Sequence, residues 1–574
     1  MNNAVIAETL EGIAQLLELK GESTFKVRAY SRAAEAVDGL PVEVERLMRE
    51  GRLKDIPGVG ESISQKIIEL VTTGKCQYYE KLRAEFPTGV TGLMEVPGIG
   101  PKTASRLAKE LGVTSIEDLE QAVIEGRVSK LPRMGEKLAE NILQSVRSLR
   151  RKDRRIPLGQ ALPIVENIMN QMKDNPSLRN LVPAGSLRRR LETVGDIDIM
   201  GTSSNADQVM DQFVHLPQVR EVLVKGSTKT SVIVDGGLQV DLRLVEHEAF
   251  GSLLQHFTGS KQHNIDLRER ALKMGLSLSE YGITHLSDGR IEKFTEEESF
   301  YALMGLQWMP PEIREGTNEL DLAARHAIPR LVELNDIRGD LHVHTDWSDG
   351  HNSLREMVMA AKEHGYEYVA ISDHSVGLGV ARGLSIERLH RQREEIEELQ
   401  RSIDGITILL SSEVDLRADG TMDFPDEVLA ELDVVTASVH SAMGQDEATM
   451  TERVLRAIYN PHVDIIGHLT TRLLNHRPPT AVNVGRVLRA AAETGTALEI
   501  NSFPDRLDLR DVHVREARDL GVRLVINTDS HRTSHLDLMR FGVAVARRGW
   551  CEPGNILNTR PLSEVLAYLK ERGR

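Results

Sequence analysis

Apolar residues change their spacing along the chain, and each spacing predicts a different kind of structure. Up to about residue 150 they recur at helical intervals that short glycine turns interrupt. From Leu181 to Val245 they alternate with polar residues, which is the period of a half-buried strand. From residue 339 to Leu569, apolar runs of strand length alternate with helical patterns. We therefore expect a helical domain, a domain with a sheet and a βα-repeated barrel, in that order.

Length and composition fit several globular domains. The chain has 574 residues, whereas one domain takes roughly 100–200. Charged residues make up 27% of it, and no apolar run approaches the roughly 20 residues of a membrane span. Residues Met1 to Lys20 form an acidic amphipathic pattern without the basic start and cleavage site of a secretory signal. Together with only two cysteines, Cys76 and Cys551, this predicts a cytoplasmic protein with no membrane partner.

The net charge of −15 is unusual for a nucleic-acid binder, because Lys and Arg normally provide the phosphate contacts. The basic residues are nevertheless clustered, for example at positions 150–155 and 188–190. A solvated helix face is the alternative for each cluster taken alone. The total charge therefore does not exclude DNA as a partner.

A short glycine motif is repeated near the N-terminus. Residues 56–60 read I-P-G-V-G, residues 96–100 read V-P-G-I-G, and residues 131–135 are a degenerate third copy. Glycine permits a close backbone approach, and the helix start that follows offers free N–H groups to an anion. The repeat predicts helix-hairpin-helix contacts to a DNA backbone, with ordinary helix-helix turns as the alternative. The candidate contact residues are Gly58, Gly60, Gly98 and Gly100.

Three aspartates lie on alternating segments. Asp196 and Asp198 share one face of a predicted strand, and Asp241 lies on the polar face of a second one. Carboxylates repel one another, so a cluster of them needs a cation, and oxygen ligands suit Mg²⁺. Just upstream, residues 184–189 read A-G-S-L-R-R, in which a glycine turn, a hydroxyl and an arginine can hold a triphosphate. A solvated strand end is the alternative for the two neighbouring aspartates alone.

These motifs resemble the family X DNA polymerases, whose nucleotidyltransferase site combines G-S-x-R-R, G-D-x-D and a further strand aspartate. The resemblance implies a mixed-sheet palm with a thumb, in which two Mg²⁺ ions activate the primer 3′-OH and stabilise the leaving pyrophosphate. The residues it implies are Asp196, Asp198 and Asp241 for catalysis and the two ions, and Ser186, Arg189 and Gly195 for the incoming dNTP.

A second segment extends the resemblance. Residues 257–260 read F-T-G-S, which is similar to the family segment beside the nucleotide sugar and base. The residues that it implies are Phe257 and Gly259 at the nucleotide, Asn264 in the minor groove and Arg268 at the template. His256 stands where the family usually has Tyr, which leaves sugar discrimination open. Gln239 stands where eukaryotic relatives have Arg, which leaves the activation of the 3′-OH open.

Lys66 follows the first glycine motif by six residues. In lyase-competent relatives a lysine here forms a Schiff base with a 5′-deoxyribose phosphate, so the resemblance implies a catalytic Lys66. Ser62 and Gln65 on the same helix make its surroundings less basic than in strong lyases. A lysine that only contacts phosphate or solvent is the alternative.

Metal-binding residue types recur where the strands of the C-terminal third are expected to end, which is where βα barrels assemble their sites. This set resembles the complete ligand motif of the polymerase-and-histidinol-phosphatase (PHP) class. The implied ligands are His342, His344, Asp349, His374, Glu413, His440, His468, Asp529 and His531. Mixed imidazole and carboxylate ligands suit up to three Mn²⁺ or Zn²⁺ ions, which activate water for phosphodiester cleavage. Arg382, Arg472 and Arg477 are expected either to hold DNA phosphates or to be solvated.

The resemblance covers nearly the whole chain and implies a multidomain α+β and α/β protein of the bacterial fusion type. We expect a helical lyase-like domain (1–87), a second helix-hairpin-helix region (88–150), a palm (151–255), a thumb (256–309), a linker (310–338) and a distorted (β/α)7 PHP barrel (339–574). The implied protein is a monomeric repair polymerase that fills short gaps in DNA and trims 3′ ends. The alternatives are a small-molecule phosphatase tethered to a polymerase and a DNA-end scaffold with vestigial sites.

Overall fold

The computed structural model describes residues 3–38, 44–49, 51–86, 90, 92–96, 99–132, 134–153 and 155–571. The chain divides into two compact units, Met1–Arg154 and Arg155–Arg574. None of the helices among these residues combines the length and the apolar character that crossing a membrane requires.

The first unit is helical, as the apolar spacing predicts. Glycines bound its helices: Gly60 and Gly74 lie at the two ends of α4, and Gly100 and Gly112 at those of α6. Its helices in the described part of the chain are α1 (Asn3–Lys20), α2 (Thr24–Asp38), α3 (Val44–Arg49), α4 (Glu61–Thr73), α5 (Gln77–Ala84), α6 (Pro101–Leu111), α7 (Ile116–Ile124) and α8 (Glu136–Asp153).

The second unit begins with a mixed five-stranded sheet in the order β2-β4-β7-β6-β5, in which β4 and β7 are parallel and the other pairs are antiparallel. This confirms the predicted mixed sheet. The elements of this region are β1 (Ile156–Pro157), α9 (Leu158–Met172), β2 (Leu178–Pro183), α10 (Gly185–Arg188), β3 (Thr193–Val194), β4 (Ile197–Ser203), α11 (Ala206–Val214), β5 (Val219–Lys225), β6 (Lys229–Val234) and β7 (Gln239–Val245).

A thumb-like region with a small antiparallel sheet follows, in the order β10-β9-β8. Its elements are α12 (Phe250–Thr258), α13 (Lys261–Lys273), β8 (Leu276–Ser279), β9 (Gly282–His285), β10 (Ile291–Glu292), α14 (Glu297–Leu303) and α15 (Glu319–Ala324). Within the stretch 310–338, for which the sequence predicts a linker, the Arg314 side chain is fully buried and its Nη1 lies 2.6 Å from Glu297 Oε1. Arg188 binds the same carboxylate at 2.7 Å. Burial opposes ionisation, yet the two guanidiniums hold the pKa of Glu297 well below its ordinary value.

The C-terminal region is a barrel of seven parallel strands in chain order. A parallel bridge between Val343 and Ser530 joins the first strand to the segment after the last one and nearly closes the barrel, which confirms the predicted fold. Its elements are β11 (Gly339–Val343), α16 (Leu354–Glu363), β12 (Tyr368–Ile371), α17 (Ile386–Ser402), β13 (Thr407–Asp415), α18 (Asp426–Leu429), β14 (Val434–Ser438), α19 (Glu447–Ile458), β15 (Ile465–Ile466), α20 (Val484–Thr494), β16 (Ala497–Asn501), α21 (Asp511–Asp519), β17 (Leu524–Asn527), α22 (Met539–Arg548) and α23 (Leu562–Glu571).

Candidate functional site

The three palm aspartates lie on two neighbouring parallel strands. Asp198 on β4 is the register partner of Asp241 on β7, and Asp196 comes directly before β4. Ile197 and Ile199 are fully buried, so strand alternation turns the acids to the other face. Burial, followed by repulsion from Asp196 and Asp241, raises the pKa of Asp198 to about 7. The face therefore concentrates negative charge of the kind that a divalent cation stabilises.

Two residues contact Asp241, Lys229 from the adjacent strand β6 and Gln239 from β7 itself. Lys229 Nζ lies 2.6 Å from Asp241 Oδ2, and Gln239 Nε2 donates a hydrogen bond of 2.9 Å to Asp241 Oδ1. Gln239, which the sequence marks as a departure from the eukaryotic relatives, thus orients this carboxylate. Sequence reasoning missed Lys229, although its place at the start of β6, a strand paired with β7, could have indicated it.

The short helix α10 brings the G-S-x-R-R motif beside the carboxylates. Gly185 has a φ of +58°, and a Cβ atom there would lie 3.3 Å from Asp198 Oδ2, so a side chain would crowd the acid. Ser186 follows in the same helix, and Gly195 comes directly before Asp196. The structure thus brings both motifs to one place.

Arg189 is largely enclosed by the thumb segment. Its Nη1 donates to the Thr258 carbonyl oxygen at 2.5 Å, and its Nε donates to Glu315 Oε1 at 3.1 Å. The same Nη1 lies 3.1 Å from the position that a Cβ of Gly259 would take. Arg189 and Gly259, both predicted to bind the nucleotide, are therefore neighbours, and the triphosphate role of Arg189 stays a prediction.

The other predicted nucleotide contacts lie along α12 and α13. The Arg243 guanidinium is stacked 4.3 Å from the centre of the Phe257 ring. Asn264 Nδ2 donates to the His256 carbonyl oxygen at 2.8 Å, which ties Asn264 to the neighbouring helix. Arg268 is exposed on α13.

In the first unit, the glycine motifs lie at helix starts. Gly60 and Gly100 precede α4 and α6 with extended backbone, while Gly98 lies outside the described residues. Gly58 has a φ of +84°, and a Cβ there would lie 2.9 Å from the backbone nitrogen of Ala33. Only glycine fits this turn without strain.

Lys66 projects from α4 beside an aromatic pair. Its Nζ donates to Ser62 Oγ at 3.0 Å and lies 4.7 Å from the centre of the Tyr78 ring. The rings of Tyr30 and Tyr78 are stacked. A hydroxyl and aromatic faces thus contact Lys66, and Lys26 Nζ lies 5.9 Å from the centre of the same Tyr78 ring.

In the barrel, the nine predicted ligands converge where the strands end. Their ligand atoms form three overlapping groups, within each of which all atoms lie within 4.8 Å of one another. The groups are His344, Asp349, His374 and His531; His342, His344 and Asp529; and His374, Glu413 and His440. His468 joins the third group, because its Nε2 lies 2.9 Å from Glu413 Oε1.

Carboxylates and imidazoles contact one another in this cluster. Glu413 is fully buried and is contacted by His374 Nδ1 at 2.9 Å and by His440 Nε2 at 3.3 Å. Burial opposes ionisation of Glu413, yet the surrounding imidazoles hold its pKa well below the ordinary value. Burial alone would lower the pKa of His374, but the charge of the Glu413 carboxylate raises it to about 10. Acid and base groups thus neutralise each other within the barrel.

Several buried atoms of the cluster have no hydrogen-bond partner within the described protein. Among them are His342 Nε2, His344 Nδ1 and His468 Nδ1. A buried polar atom without a partner costs about 1–3 kcal/mol, so a set of them facing one another fits metal ions. Imidazole and carboxylate donors together suit Mn²⁺ or Zn²⁺.

Sequence reasoning missed two carboxylates that contact the ligating histidines on the side away from the cluster. His342 Nδ1 lies 2.7 Å from Glu499 Oε1, and His440 Nδ1 lies 3.1 Å from Asp415 Oδ1. Such carboxylates fix the tautomer and orientation of a ligating imidazole. Their position as acids within predicted strands, β16 and β13, was the available signal.

The three arginines considered for DNA phosphates differ. Arg472 donates to the carbonyl of Arg506 in the segment after β16, and Arg477 donates to the carbonyl of Thr471 in its own loop, at 2.9 Å each. Arg382 is exposed. Arg472 and Arg477 thus already shape the loops around the cluster.

Comparisons with known proteins agree with this arrangement. Four domain families match: the helix-hairpin-helix domain at residues 1–76, the SAM-like helix-hairpin-helix tandem at 90–148, the DNA polymerase beta thumb at 253–315 and the PHP domain at 340–503. A "DNA polymerase/3'-5' exonuclease PolX" of Bacillus subtilis (strain 168) is 41% identical over 573 residues, 99% of this chain and 100% of the relative.

Relatives of the barrel alone are also found. A probable phosphatase of Thermoanaerobacter sp. (strain X514) is 28% identical over 247 residues, 41% of this chain and 95% of the relative. A probable phosphatase of Shewanella sp. (strain MR-4) is 28% identical over 244 residues, 41% of this chain and 92% of the relative. The match to the Bacillus protein spans every domain, and the chain therefore belongs to the bacterial PolX family of DNA polymerases, with helix-hairpin-helix domains before the palm and a PHP domain after it.

Proposed function

We propose that this protein adds dNTPs to the primer 3′-OH at short DNA gaps in base-excision repair, and that its PHP domain removes nucleotides from 3′ ends. One observation carries the first activity: Asp198 and Asp241 are register partners on parallel strands, with Asp196 beside them. The whole-length likeness to a protein named for both activities supports the pair of functions. The expected substrates are dNTPs and gapped or primer-template DNA, and the expected state is a monomer.

In the palm, Asp196, Asp198 and Asp241 would hold two Mg²⁺ ions, which supply charge stabilisation to the transferred phosphoryl group and make the 3′-OH easier to deprotonate. Asp198, whose pKa is raised to about 7, would have to lose its proton to serve as a ligand. Lys229 offsets the charge of Asp241 at Oδ2, which is an oxygen that would face a cation, and Gln239 donates to Oδ1 and so orients the carboxylate.

The motif residues around the acids would receive the nucleotide. The assignments are Ser186, Arg189 and Gly195 at the triphosphate, Phe257 and Gly259 at the sugar and base, Asn264 in the minor groove and Arg268 at the template. The short distance between Arg189 and the Gly259 turn supports a common role for these two residues.

In the barrel, the nine clustered ligands would hold up to three Mn²⁺ or Zn²⁺ ions, which make water a nucleophile at neutral pH. The protein contributes the orientation of the ligands. Glu499 and Asp415 each accept from the far nitrogen of a ligating imidazole, so that the other nitrogen faces the cluster.

For Lys66 we propose a lyase role at 5′-deoxyribose-phosphate ends. Its Nζ attacks C1′ of the sugar, and the resulting adduct loses water to give a Schiff base. The partial enclosure of Nζ by Ser62 and Tyr78 supports this assignment. Borohydride should trap the wild type on such an end, and Lys66→Ala should abolish trapping. Equal trapping of the variant would move the lyase to another lysine, and no trapping of the wild type would remove the activity.

A second candidate for the barrel is a small-molecule phosphatase. The likeness of this region to proteins named as probable phosphatases favours it. Hydrolysis of a free phosphomonoester without shortening of DNA would support the phosphatase. Absence of both polymerisation and trimming in the presence of Mg²⁺ and Mn²⁺, with binding to DNA ends retained, would instead support a DNA-end scaffold with vestigial sites.

One experiment tests the main proposal. The protein is incubated with a labelled one-nucleotide gap, with and without dNTPs, in Mg²⁺ and in Mn²⁺. Extension with dNTPs and shortening without them are expected on the same gel. A primer whose length stays constant under all conditions would refute both assignments.

A further inference from the structure

The segment that joins the two palm motifs is held by residues of the barrel. Arg548, at the end of α22, donates its Nη1 to the Arg189 carbonyl oxygen at 2.9 Å. On the other side of the segment, Arg472 Nη2 lies 2.7 Å from Glu192 Oε2. Two arginines of the barrel thus bind the stretch between the G-S-x-R-R motif and Asp196. The barrel's own site is proposed to catalyse a different reaction.

The contact at Arg548 extends to the Arg189 side chain. Glu315 Oε1 accepts from Arg189 Nε at 3.1 Å and from Arg548 Nη1 at 2.8 Å, so one carboxylate oxygen joins the two arginines. Without Arg548, Glu315 would lose one of these two partners. The position of the Arg189 guanidinium therefore depends on a residue of the PHP domain.

Arg548 is itself fixed and mostly enclosed. Its side chain is 9% exposed, and its Nη2 lies 2.7 Å from Asp511 Oδ2 on α21. A planar guanidinium can bind Asp511, Glu315 and a carbonyl at once, which the ammonium of a lysine cannot do with the same geometry. The barrel thus presents a rigid donor to the palm.

We propose that Arg548 is a positioning residue for nucleotide addition: it holds Glu315 and the Arg189 backbone so that the Arg189 guanidinium is aligned for the triphosphate of the incoming dNTP. This inference rests on the proposed role of Arg189. It makes the PHP domain a structural part of the polymerase site, separate from its own hydrolytic chemistry. Misplacement of a positioned group by an ångström can cost on the order of tenfold or more in activity.

A matched control lies on the same helix. Arg540 of α22 pairs with Glu166 of α9 at 2.8 Å, which is also a contact between barrel and palm. This pair touches neither Arg189 nor Glu315. Arg540→Ala therefore removes an ion pair between the same two regions without affecting the proposed alignment.

The test is steady-state nucleotide addition by the full-length protein on gapped DNA, with KM for dNTP and kcat measured separately. Arg548→Ala should raise KM for dNTP roughly tenfold, and Arg548→Lys should restore part of the loss. Arg540→Ala should leave KM unchanged, and 3′ trimming should stay near wild type in all three variants. The melting temperature is measured alongside, because Arg548→Ala removes a buried partner from both Asp511 and Glu315 and should lower it. Glu315→Gln should raise KM too, and adding Arg548→Ala to it should raise KM by less than the product of the two effects.

Arg189→Ala distinguishes a wrong proposed function of Arg189 from a wrong positioning role of Arg548. If Arg189→Ala leaves KM for dNTP unchanged, the proposed function of Arg189 is wrong, and the positioning role falls with it. If Arg189→Ala raises KM but Arg548→Ala and Arg548→Lys do not, the positioning role alone is overturned. Equal effects of Arg548→Ala and Arg540→Ala would also overturn it, because they would reflect general loosening between the two regions.

Discussion

The palm and the barrel both gather carboxylates, but they balance the charge in opposite ways. In the palm, Asp198 faces two further aspartates, and burial with repulsion raises its pKa to about 7. In the barrel, Glu413 is surrounded by imidazoles, which hold its pKa well below the ordinary value despite complete burial. Within the described part of the chain, tight groups of ligand atoms occur among the barrel residues, and the palm triad is not one of them.

The two sites differ in whether their carboxylate charge is offset by residues of the protein itself. The palm acids repel one another, so a divalent cation among them would stabilise their arrangement. In the barrel cluster, histidines surround the Glu413 carboxylate, and Glu499 and Asp415 orient two of these histidines. These two charge balances fit the proposed polymerase site and the proposed hydrolase site.

The largest expected effect separates the two chemistries. Asp241→Asn removes one carboxylate charge from the palm and should lower the rate of dNTP incorporation on the order of a thousandfold. Trimming of 3′ ends should stay within about twofold, because the barrel cluster lies in a different sheet. Ser231→Ala, at the register partner of Asp241 on β6, is the control for disturbance of the strand. Incorporation near the wild-type rate would refute the palm assignment.

The reciprocal change should be nearly as large. Replacing both His342 and His344 with Ala removes two imidazoles from the same group of ligands, and metal affinity should fall at least roughly a hundredfold. Trimming should vanish while dNTP incorporation persists. Metal content by elemental analysis and the melting temperature are measured together, because the ligands also tie strand ends of the barrel together. A variant that keeps its metals and still shortens DNA would rule out the cluster as the hydrolytic site.

Because the two sites balance their charge in opposite ways, neutralising one acid in each should change the free energy of unfolding of metal-free protein in opposite directions. Because the pKa of Asp198 is raised, its contribution to stability is present at low pH and is lost as the pH rises through about 7. Asp198→Asn should therefore increase the free energy of unfolding near pH 8 by about 1–2 kcal/mol. Because the pKa of Glu413 is lowered, its contribution is present above its ordinary pKa and is lost only in acid. Glu413→Gln should cost about 3 kcal/mol near pH 8.

Denaturant unfolding after removal of metals, near pH 5 and near pH 8, measures both effects. The Asp198→Asn gain should shrink toward the lower pH, since wild-type Asp198 is then protonated in the folded protein. If both substitutions changed stability in the same direction near pH 8, the contrast between the sites would be wrong.

The smallest expected effect concerns DNA binding by the first unit. Affinity for gapped DNA should fall with salt by roughly 0.9 log units per log unit of salt for each phosphate contacted. Gly58→Val should weaken binding, because its turn has a φ of +84° and no room for a side chain. Gly60→Ala is the matched variant: no atom lies within 4 Å of the position of its Cβ, so it should fold normally. Affinity that does not change with salt would contradict the proposed backbone contacts.

Much of the fold could be predicted from the sequence because it depends on local periodicity. Alternation around Asp196 and Asp198 predicted their shared face, and histidines at the ends of apolar runs predicted where the barrel ligands lie. The partners of these groups could not be predicted in the same way. Lys229 meets Asp241 through the pairing of β6 with β7, and Arg548 reaches the Arg189 backbone across 359 positions of the chain. Such contacts depend on tertiary packing, which no local pattern records.

The central claim is that two independent sites act on the same DNA terminus, and mixing the two inactivated proteins tests it most directly. Asp241→Asn and the His342→Ala, His344→Ala double variant are assayed alone and in equal mixture on a labelled one-nucleotide gap, with and without dNTPs. The account predicts only shortening by the first, only extension by the second and both activities in the mixture. Loss of both activities in either variant alone, or retention of both, would contradict it.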